Sequence, residues 1–318
     1  MSAALERVPA WLRELAVEAM LLVALVVLII VMAQLSPAFL TTRNLFNITR
    51  FIAEIGLISL GMTMVILTGG IDLSVGAILG MCGIVMGALF VLGVGVWWAA
   101  AIALLVGTLA GFLNGMLAVI TRVHPLVITL ATLAIYRGIA HGIAQGDSYS
   151  GFPGTFFFLG QGYLGPIPTQ LLVFVVFAAV ATYVLSRTTF GRSLYAFGHN
   201  ETATRFAGIP VDRLQIAVYT ITGFLSGLAA VVFVSRVSSA RGDSGALMEL
   251  DVITAVVLGG TALTGGRGSI LGTLLGLLIV GVVRNGLTLA FVPLEVQAVF
   301  VGVILIVAVT LNRTIRQT

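Results

Sequence analysis

Long apolar stretches follow one another along the chain, separated by short polar segments. Each stretch is close to the roughly 20 residues that a helix needs to cross a bilayer. The apolar residues come in long runs and do not alternate in segments of about ten residues, which favours transmembrane helices over a β-barrel. The predicted spans are residues 17–35, 51–68, 72–92, 96–120, 125–144, 169–186, 214–236, 250–264, 268–290 and 294–311. The pattern therefore predicts an all-α integral membrane protein of about ten transmembrane helices, forming a single transmembrane domain over residues 1–318.

Composition agrees with this class and excludes others. Hydrophobic residues make up 59% of the chain and charged residues 9%, whereas a soluble domain averages about 25% charged residues. All 16 basic residues are arginines, spread between the apolar stretches, so the positive net charge does not indicate nucleic-acid binding. Because a P-loop requires a lysine, this lysine-free chain is not expected to use ATP by itself.

No pattern of a catalytic or metal site is found in the sequence. The three histidines are scattered at positions 124, 141 and 199, and the single Cys82 lies inside an apolar run. Glu54 and Asp72 would be about 27 Å apart along a helix, too far for a pair of catalytic acids. We therefore expect no enzyme activity, no cofactor and no metal in this chain.

Arginine placement predicts the orientation. With the N-terminus inside, ten arginines fall in cytoplasmic segments and four fall outside, which satisfies the positive-inside rule and makes both termini cytoplasmic. The cytoplasmic set is Arg7, Arg13, Arg122, Arg187, Arg192, Arg205, Arg213, Arg267, Arg313 and Arg316, and the outer set is Arg43, Arg50, Arg236 and Arg241. Residues 145–169 are then an outer loop and residues 187–214 a cytoplasmic loop. The apolar run at 19–35 is longer than a signal-peptide core of about 7–15 residues and is predicted to be a retained span.

A glycine-containing motif interrupts two of the apolar segments. Residues 67–80 read LTGGIDLSVGAILG and residues 263–276 read LTGGRGSILGTLLG. The copies start from the second and eighth spans, so they predict a weak internal repeat that is parallel in the membrane. Paired breaks in two halves of a membrane protein indicate a transport pathway at the repeat interface. Two tight turns between helices are an equally good interpretation of the motif alone.

Polar residues within the spans are the candidate pathway residues, because such residues are costly in a membrane. The expected path or gate residues are Gly69, Gly70, Asp72, Ser74, Asn114, Arg137, His141 and Asn285. Structural roles are the alternative for some of them. Asp72 or Ser74 is suited to cap the third span, and Arg137 to pair with the buried Glu54. Arg137 and His141 are four residues apart and share one helix face.

Glycine spacing and the two long loops add further predictions. Small residues in GxxxG spacing predict close helix packing, within the chain or between two copies; they are Gly107, Gly111 and Gly115, Gly76 and Gly80, and Gly223 and Gly227. In the cytoplasmic loop, residues 200–207 predict one short helix, capped by Asn200 and ended by Gly208 and Pro210. That helix either connects two spans or inserts into a groove of a partner protein. Aromatic residues in the outer loop indicate anchoring at the headgroup level or, alternatively, a docking surface.

Three segments together resemble one protein family. They are GMTMVILTGGIDLSVGAILG at 61–80, GRSLYAFGHNETATRFAGI at 191–209 and ELDVITAVVLGGTALTGGRGSILGTLLG at 249–276. They are similar to the membrane permease subunits of ribose-type bacterial ABC sugar importers, from about residue 35 to the C-terminus. The resemblance implies a multi-pass permease domain in the lipid of the bacterial inner membrane, paired with a second copy or a paralogue. It also implies two ABC ATPase domains and a periplasmic sugar-binding protein as partners.

The same resemblance implies a cytoplasmic coupling helix around residues 198–211 that docks on the ATPase. The expected coupling residues are Gly191, Arg192, Gly198, Asn200, Glu201, Ala203, Arg205, Gly208 and Ile209. The candidate residues for docking of the outer partner are Arg43, Arg50, Arg236 and Arg241.

The function expected from these observations is the permease subunit of an ATP-driven importer for ribose or a related monosaccharide. The same architecture fits a nucleoside, a furanose signalling sugar or another small solute. A secondary transporter would instead need a coupling carboxylate such as Glu54 or Asp72. An intramembrane enzyme would need paired reactive groups, which the spans do not offer.

Overall fold

The computed structural model describes the backbone of residues 10–317 and the side chains of residues 18–310. Four arginines used for the orientation, Arg7, Arg13, Arg313 and Arg316, lie outside the described side chains. The placement of the two termini therefore stays a prediction.

Helices account for most of the described chain. They are α1 (Ala10–Leu35), α2 (Thr42–Leu67), α3 (Val75–Val91), α4 (Val96–Thr121), α5 (Pro125–Ala144), α6 (Gly154–Gln161), α7 (Thr169–Arg187), α8 (Thr189–His199), α9 (Glu201–Phe206), α10 (Val211–Val237), α11 (Met248–Leu258), α12 (Ile270–Leu289) and α13 (Leu294–Gln317). Two short antiparallel pairs complete the fold: β1 (Ser148–Ser150) with β4 (Ser239–Arg241), and β2 (Tyr163–Leu164) with β3 (Ile167–Pro168).

Seven helices of the described region are long and apolar enough to cross a membrane, namely α1, α2, α4, α5, α7, α10 and α12. Helix α3 and residues 294–310 of α13 are shorter apolar helices. The chain is thus an all-α membrane protein, and the total of ten spans stays a prediction.

Two predicted spans have different ends in the structure. Helix α2 begins at Thr42, nine residues before the predicted start, with the Thr41 side chain accepting a hydrogen bond from the Asn44 backbone N–H. Polar residues lower the hydropathy of the first turns of α2, so the apolar pattern did not indicate this start. The predicted eighth span is helical only over α11, 11 residues long. It ends at Gly259, and the chain stays non-helical until α12 begins at Ile270.

Helix α2 is the centre of the domain. Every residue from 52 to 67 is buried, and the helix packs against α7, α10, α11 and α12. Outer helices expose apolar side chains instead, such as Val176 and Val180 on α7 and Ile306 on α13. Apolar side chains on the outside and a tightly packed inside suit a bundle surrounded by lipid.

Glycines bring α4 and α10 into backbone contact. A Cβ atom at Gly107 or Gly111 would overlap the backbone of Gly223 or the carbonyl oxygen of Tyr219. A Cβ atom at Gly115 would lie 2.8 Å from the Cα atom of Ile216. The GxxxG glycines of α4 and α10 are therefore confirmed as helix packing within one chain.

A non-helical segment, residues 240–245, runs along the glycine face of α3. The segment starts near the outer end of α10. Ala240 faces Gly87, Ser244 faces Gly80 and Gly245 faces Gly76. The glycine pair of α3 thus packs against a series of turns at residues 242–245, where helix packing was expected. Irregular backbone at membrane depth is stable only where protein surrounds it. Here the glycines of α3, which have no side chain, leave the room for it.

The outer loop is folded rather than open. It contains β1, α6 and the β2–β3 hairpin. Phe152 and Phe156 are buried and stack on each other with ring centroids 5.4 Å apart, whereas Phe158 and Tyr163 are exposed. The prediction of headgroup anchoring is therefore wrong for Phe152 and Phe156, because these rings form the core that holds α6 on the bundle.

We predict opposite effects for two glycine-to-alanine substitutions. Gly111→Ala forces a methyl group into the α4–α10 contact and should destabilise the protein by about 1–3 kcal/mol. Gly138→Ala places a methyl group where no atom lies within 4 Å, so the lower backbone entropy should leave stability unchanged or raise it by about 0.5–1 kcal/mol. Thermal unfolding of the purified protein in detergent measures both. Equal midpoints for the two variants would contradict the packing described for Gly111.

Candidate functional site

The loop predicted to be cytoplasmic, residues 187–214, contains two short helices, and we keep the name cytoplasmic loop for it. The Thr188 side chain accepts a hydrogen bond from the Gly191 N–H at the start of α8, and the Asn200 side chain accepts one from the Ala203 N–H at the start of α9. The predicted capped helix is confirmed as α9, and the chain turns away at Gly208, whose φ is +80°. Helix α8 was not expected. Thr188 as a cap, with buried residues three apart in the following turns, was the available signal.

An ion network ties α9 to the first turn of α10. Arg205 donates to both carboxylate oxygens of Asp212, at 3.1 and 2.7 Å, and to Glu201 at 3.0 Å. These hydrogen bonds, first from Asp212 and then from Glu201, raise the pKa of Arg205 above its ordinary value. The bidentate geometry fixes the direction of α9 relative to α10 more than it adds stability, because all three side chains are about half exposed.

A groove lies between this network and the α4–α5 connection. Its volume is about 840 Å³. One wall consists of Glu201, Arg205, Asp212 and Gln215, and the other of residues 118–120 and 122–125. The cytoplasmic loop and the α4–α5 connection therefore lie on the same side of the bundle.

Helix α8 makes backbone contact with both copies of the LTGG motif. The Gly266 N–H donates to the carbonyl oxygen of Leu67 at 2.9 Å, which joins the second copy to the first. A Cβ atom at Gly198 would overlap both that oxygen and the Gly266 nitrogen. We call this contact of Gly198, Leu67 and Gly266 the glycine junction. It brings together the two breaks and the cytoplasmic loop, which are far apart in sequence.

Left-handed backbone makes the junction dependent on glycine. Gly69 has φ +80°, Gly265 has φ +82° and Gly266 has φ +74°, a region that residues with a Cβ atom adopt at a cost. A Cβ atom at Gly265 would also lie 2.8 Å from the Gly69 nitrogen. The repeated pair of glycines is thus required by the turn and by the close approach of the two copies.

Buried polar side chains hold the first break. Asp72 Oδ1 accepts hydrogen bonds from the Ser74 N–H at 2.9 Å and the Ser74 hydroxyl at 2.7 Å. The Asn114 amide donates to Ser74 at 2.8 Å, and the Tyr136 hydroxyl donates to Asn114 at 3.0 Å. Thr129 donates to the carbonyl oxygen of Ile71 at 3.0 Å. These side chains enclose the start of α3 within one chain and pin it to α4 and α5.

The depth of the first break follows from these partners. Thr129 is four residues, about 6 Å, from the start of α5, and Asn114 is seven residues, about 10 Å, from the end of α4. Both helix ends lie on the side of the cytoplasmic loop. The break therefore lies one to two helical turns inside those ends.

Two polar atoms at this break have no hydrogen-bond partner among the described residues. They are Asp72 Oδ2 and the Tyr219 hydroxyl. A Cβ atom at Gly70 would lie 2.5 Å from that hydroxyl, so Tyr219 covers the break directly. Tyr219 was missed from the sequence because it lies on a different helix, 149 residues after Gly70.

Two buried carboxylates of the described spans, those of Glu54 and Asp251, form ion pairs. Glu54 accepts from Arg236 at 2.6 and 2.9 Å, and Asp251 accepts from Arg284 at 2.8 Å. The predicted Glu54–Arg137 pair is wrong. Arg137 instead donates to the carbonyl oxygens of Gly242 and Ser244, at 3.1 and 2.7 Å. It thereby provides hydrogen bonds to two backbone groups of the non-helical segment that lies on α3.

The remaining predicted pathway residues occupy different places. Asn285 exchanges reciprocal hydrogen bonds with Asn44 at 2.7 and 2.9 Å, which joins α2 to α12. His141 is exposed, next to Gly242. Among the predicted coupling residues, Gly191 and Ile209 pack inward, whereas Arg192 and Ala203 are exposed.

The four outer arginines do not form one patch. Arg50 and Arg236 line a cavity of about 510 Å³ together with Asn47, Phe51 and Gln161. Arg50 donates to the Tyr163 hydroxyl at 2.6 Å and lies 5.1 Å from the centre of its ring. Arg241 forms an ion pair with Asp243 elsewhere, and Arg43 is exposed in the first turn of α2. We call the Arg50–Arg236 cavity the outer pocket.

Comparison with known proteins supplies the family. Residues 44–309 match the model of the branched-chain amino acid transport system/permease component family. The chain is 41% identical over 291 residues to the ribose import permease protein RbsC of Bacillus subtilis, covering 91% of this chain and 90% of that protein. It is 40% identical over 295 residues to RbsC of Escherichia coli K12, with 92% of each chain covered.

A third relative has a different named solute. The autoinducer 2 import system permease protein LsrD of Escherichia coli K12 is 40% identical over 292 residues, covering 90% of this chain and 88% of that protein. No solved structure matches the chain. The family match extends from α2 into α13 and includes the glycine junction, so the chain belongs to the branched-chain amino acid transport system/permease component family.

Proposed function

We propose that the chain is the permease subunit of an ATP-driven importer in the bacterial inner membrane. It carries ribose or a related monosaccharide into the cytoplasm. ATP is hydrolysed by two ABC ATPase domains outside this chain, and a periplasmic sugar-binding protein delivers the solute. The second permease position of the complex is taken by another copy or a paralogue.

The glycine junction is the observation that carries this proposal. Helix α8 contacts the backbone of both LTGG copies, so a displacement of the cytoplasmic loop is passed to α2 and to the segment before α12. Packed elements of this kind move as rigid bodies. A partner that pushes on the loop therefore moves both halves of the bundle together.

The loop also offers a rigid surface for such a partner. Arg205 clamps α9 to α10, and Phe206 next to it is 88% exposed. An exposed aromatic ring on a fixed helix is a suitable anchor in a groove of another protein. We assign this surface to the ATPase.

The outer pocket is the proposed docking site of the sugar-binding protein. Glu54 neutralises Arg236, whereas the described contacts of Arg50 are the Tyr163 hydroxyl and its ring. The pocket thus keeps a positive charge that suits a carboxylate on the surface of a partner. Arg43 lies on the same face of α2, two turns earlier, and extends this surface.

The solute is proposed from the relatives. Two of the relatives named above are ribose import permeases and the third is an autoinducer 2 import permease. Autoinducer 2 is therefore the second candidate.

We predict uptake of labelled ribose by membrane vesicles that contain this chain, its ATPase and its binding protein. Uptake should require ATP and both partners and should persist when ion gradients are collapsed, because the driving force is ATP. Omission of each component in turn is the control. Uptake by this chain alone that stops with the ion gradient would replace the proposal by a secondary transporter. Uptake of autoinducer 2 without ribose would leave the importer and change its solute.

We predict that Gly198→Ala uncouples ATP hydrolysis from transport. The methyl group overlaps the backbone of Leu67 and Gly266, and overpacking of about 1–3 kcal/mol corresponds to a loss of transport of about 5- to 150-fold. Hydrolysis by the assembled complex should continue at a similar rate. Gly95→Ala is the matched control, since a Cβ atom there would approach the Trp98 side chain only to 3.9 Å. Normal transport per ATP in Gly198→Ala would remove the glycine junction from the mechanism.

We predict that Arg50→Gln weakens binding of the sugar-binding protein. Loss of one hydrogen bond to a charged group costs about 1.5–3 kcal/mol, which is a tenfold or larger increase in Kd. Binding to the reconstituted complex at low and high salt measures this effect, which should shrink as salt rises. Arg241→Gln is the control on the same side, because Arg241 already pairs with Asp243. A larger effect of Arg241→Gln would contradict the choice of pocket.

A further inference from the structure

Charged side chains are recessed on the non-helical segment at residues 240–245. Ser244 lies against Gly80, which is 11 residues, about 16 Å, below the outer end of α3. The preceding residues carry a bidentate ion pair: Arg241 Nε and Nη2 donate to the two oxygens of Asp243, both at 3.0 Å. Although they lie below the end of α3, the Arg241 and Asp243 side chains are 62% and 55% exposed.

Exposed charges at this depth point to water rather than to lipid. Charged groups within membrane proteins face a water-filled cavity or a polar partner, because hydrocarbon does not solvate them. The adjacent face of α5 is also suited to a cavity. His141 is exposed beside Gly242, and Gly138 and Gly142 have no atom within 4 Å of a Cβ position.

Hydrogen bonds from α5 fix the position of this segment. Arg137 donates to the carbonyl oxygens on either side of Asp243, those of Gly242 and Ser244. The Ala246 N–H closes a turn onto the Asp243 carbonyl oxygen at 3.1 Å. The Arg241–Asp243 pair is therefore presented on a rigid backbone.

We propose that Arg241, Asp243 and His141 form a weak subsite for a polyhydroxylated solute on its way through the permease. A guanidinium group supplies donors, a carboxylate supplies acceptors, and an imidazole supplies one of each. Sugar hydroxyl groups are both donors and acceptors and match this set. The subsite rests on the proposed function and names the groups that a monosaccharide meets. It also moves Arg241 from the outer docking surface to the solute path.

A single cysteine near the subsite provides the test. The native Cys82 is buried and is replaced by Ala. Ala246→Cys then places one thiol on an exposed position next to Asp243 without changing the subsite. The membrane-embedded complex of permease and ATPase is treated from outside with a charged, membrane-impermeant thiol reagent. D-Ribose is the probe, and glycine betaine at equal osmolarity is the control solute.

The thiol should react, and ribose should slow the reaction about threefold at twice its dissociation constant. Adding Asp243→Asn should abolish this protection. Adding Glu295→Gln, which removes an exposed acid in the first turn of α13 on the same side, should leave protection intact. Failure of the thiol to react, reaction without protection by ribose, or protection that survives Asp243→Asn would each overturn the subsite.

The outcome is independent of the test of overall function. ATP-driven ribose uptake by the Ala246→Cys complex without protection would remove the subsite and leave the importer standing. Absence of ribose uptake by the unsubstituted complex would count against the proposed solute instead.

Discussion

The structure depends on a place where three backbones touch without side chains between them. Gly198 lies against the carbonyl oxygen of Leu67, and that oxygen accepts the N–H of Gly266. Because no flexible side chain separates these segments, none of them shifts without the others. Leu67 also ends α2, the helix that α7, α10, α11 and α12 pack against. The cytoplasmic loop is therefore connected to the centre of the domain and not only to its surface.

Non-helical backbone at membrane depth is the second constraint, and neighbouring helices meet it with polar side chains. At the first break, Thr129 of α5 and Asn114 of α4 donate hydrogen bonds. At the non-helical segment of residues 240–245, Arg137 of α5 does the same. An unsatisfied backbone group in this environment would cost several kcal/mol, so these side chains are part of the fold. Residues that look like solute contacts in the sequence are in these cases supports for irregular backbone.

The apolar pattern and the caps predicted much of the fold, because both are local. Helix α9 begins at its cap, Asn200, as expected, and the glycines of α4 pack on α10. The partner of Glu54 was not predictable: the sequence pattern pointed to Arg137, whereas the rotation of α5 and α10 in the bundle turns Arg236 toward the carboxylate. The contact of α8 with both breaks is likewise a property of packing between distant segments. Spacing along the chain contains no signal for it.

The ion pair between Glu54 and Arg236 has a consequence for how the protein is made. The two residues are 182 positions apart, and ribosomes add about 5–20 residues per second. The carboxylate of α2 therefore precedes its cation by about 10–35 seconds of synthesis. During that interval α2 also lacks α10 and α12, which later enclose it. Helix α2, the centre of the domain, is thus synthesised early, and its carboxylate lacks its arginine partner throughout that interval.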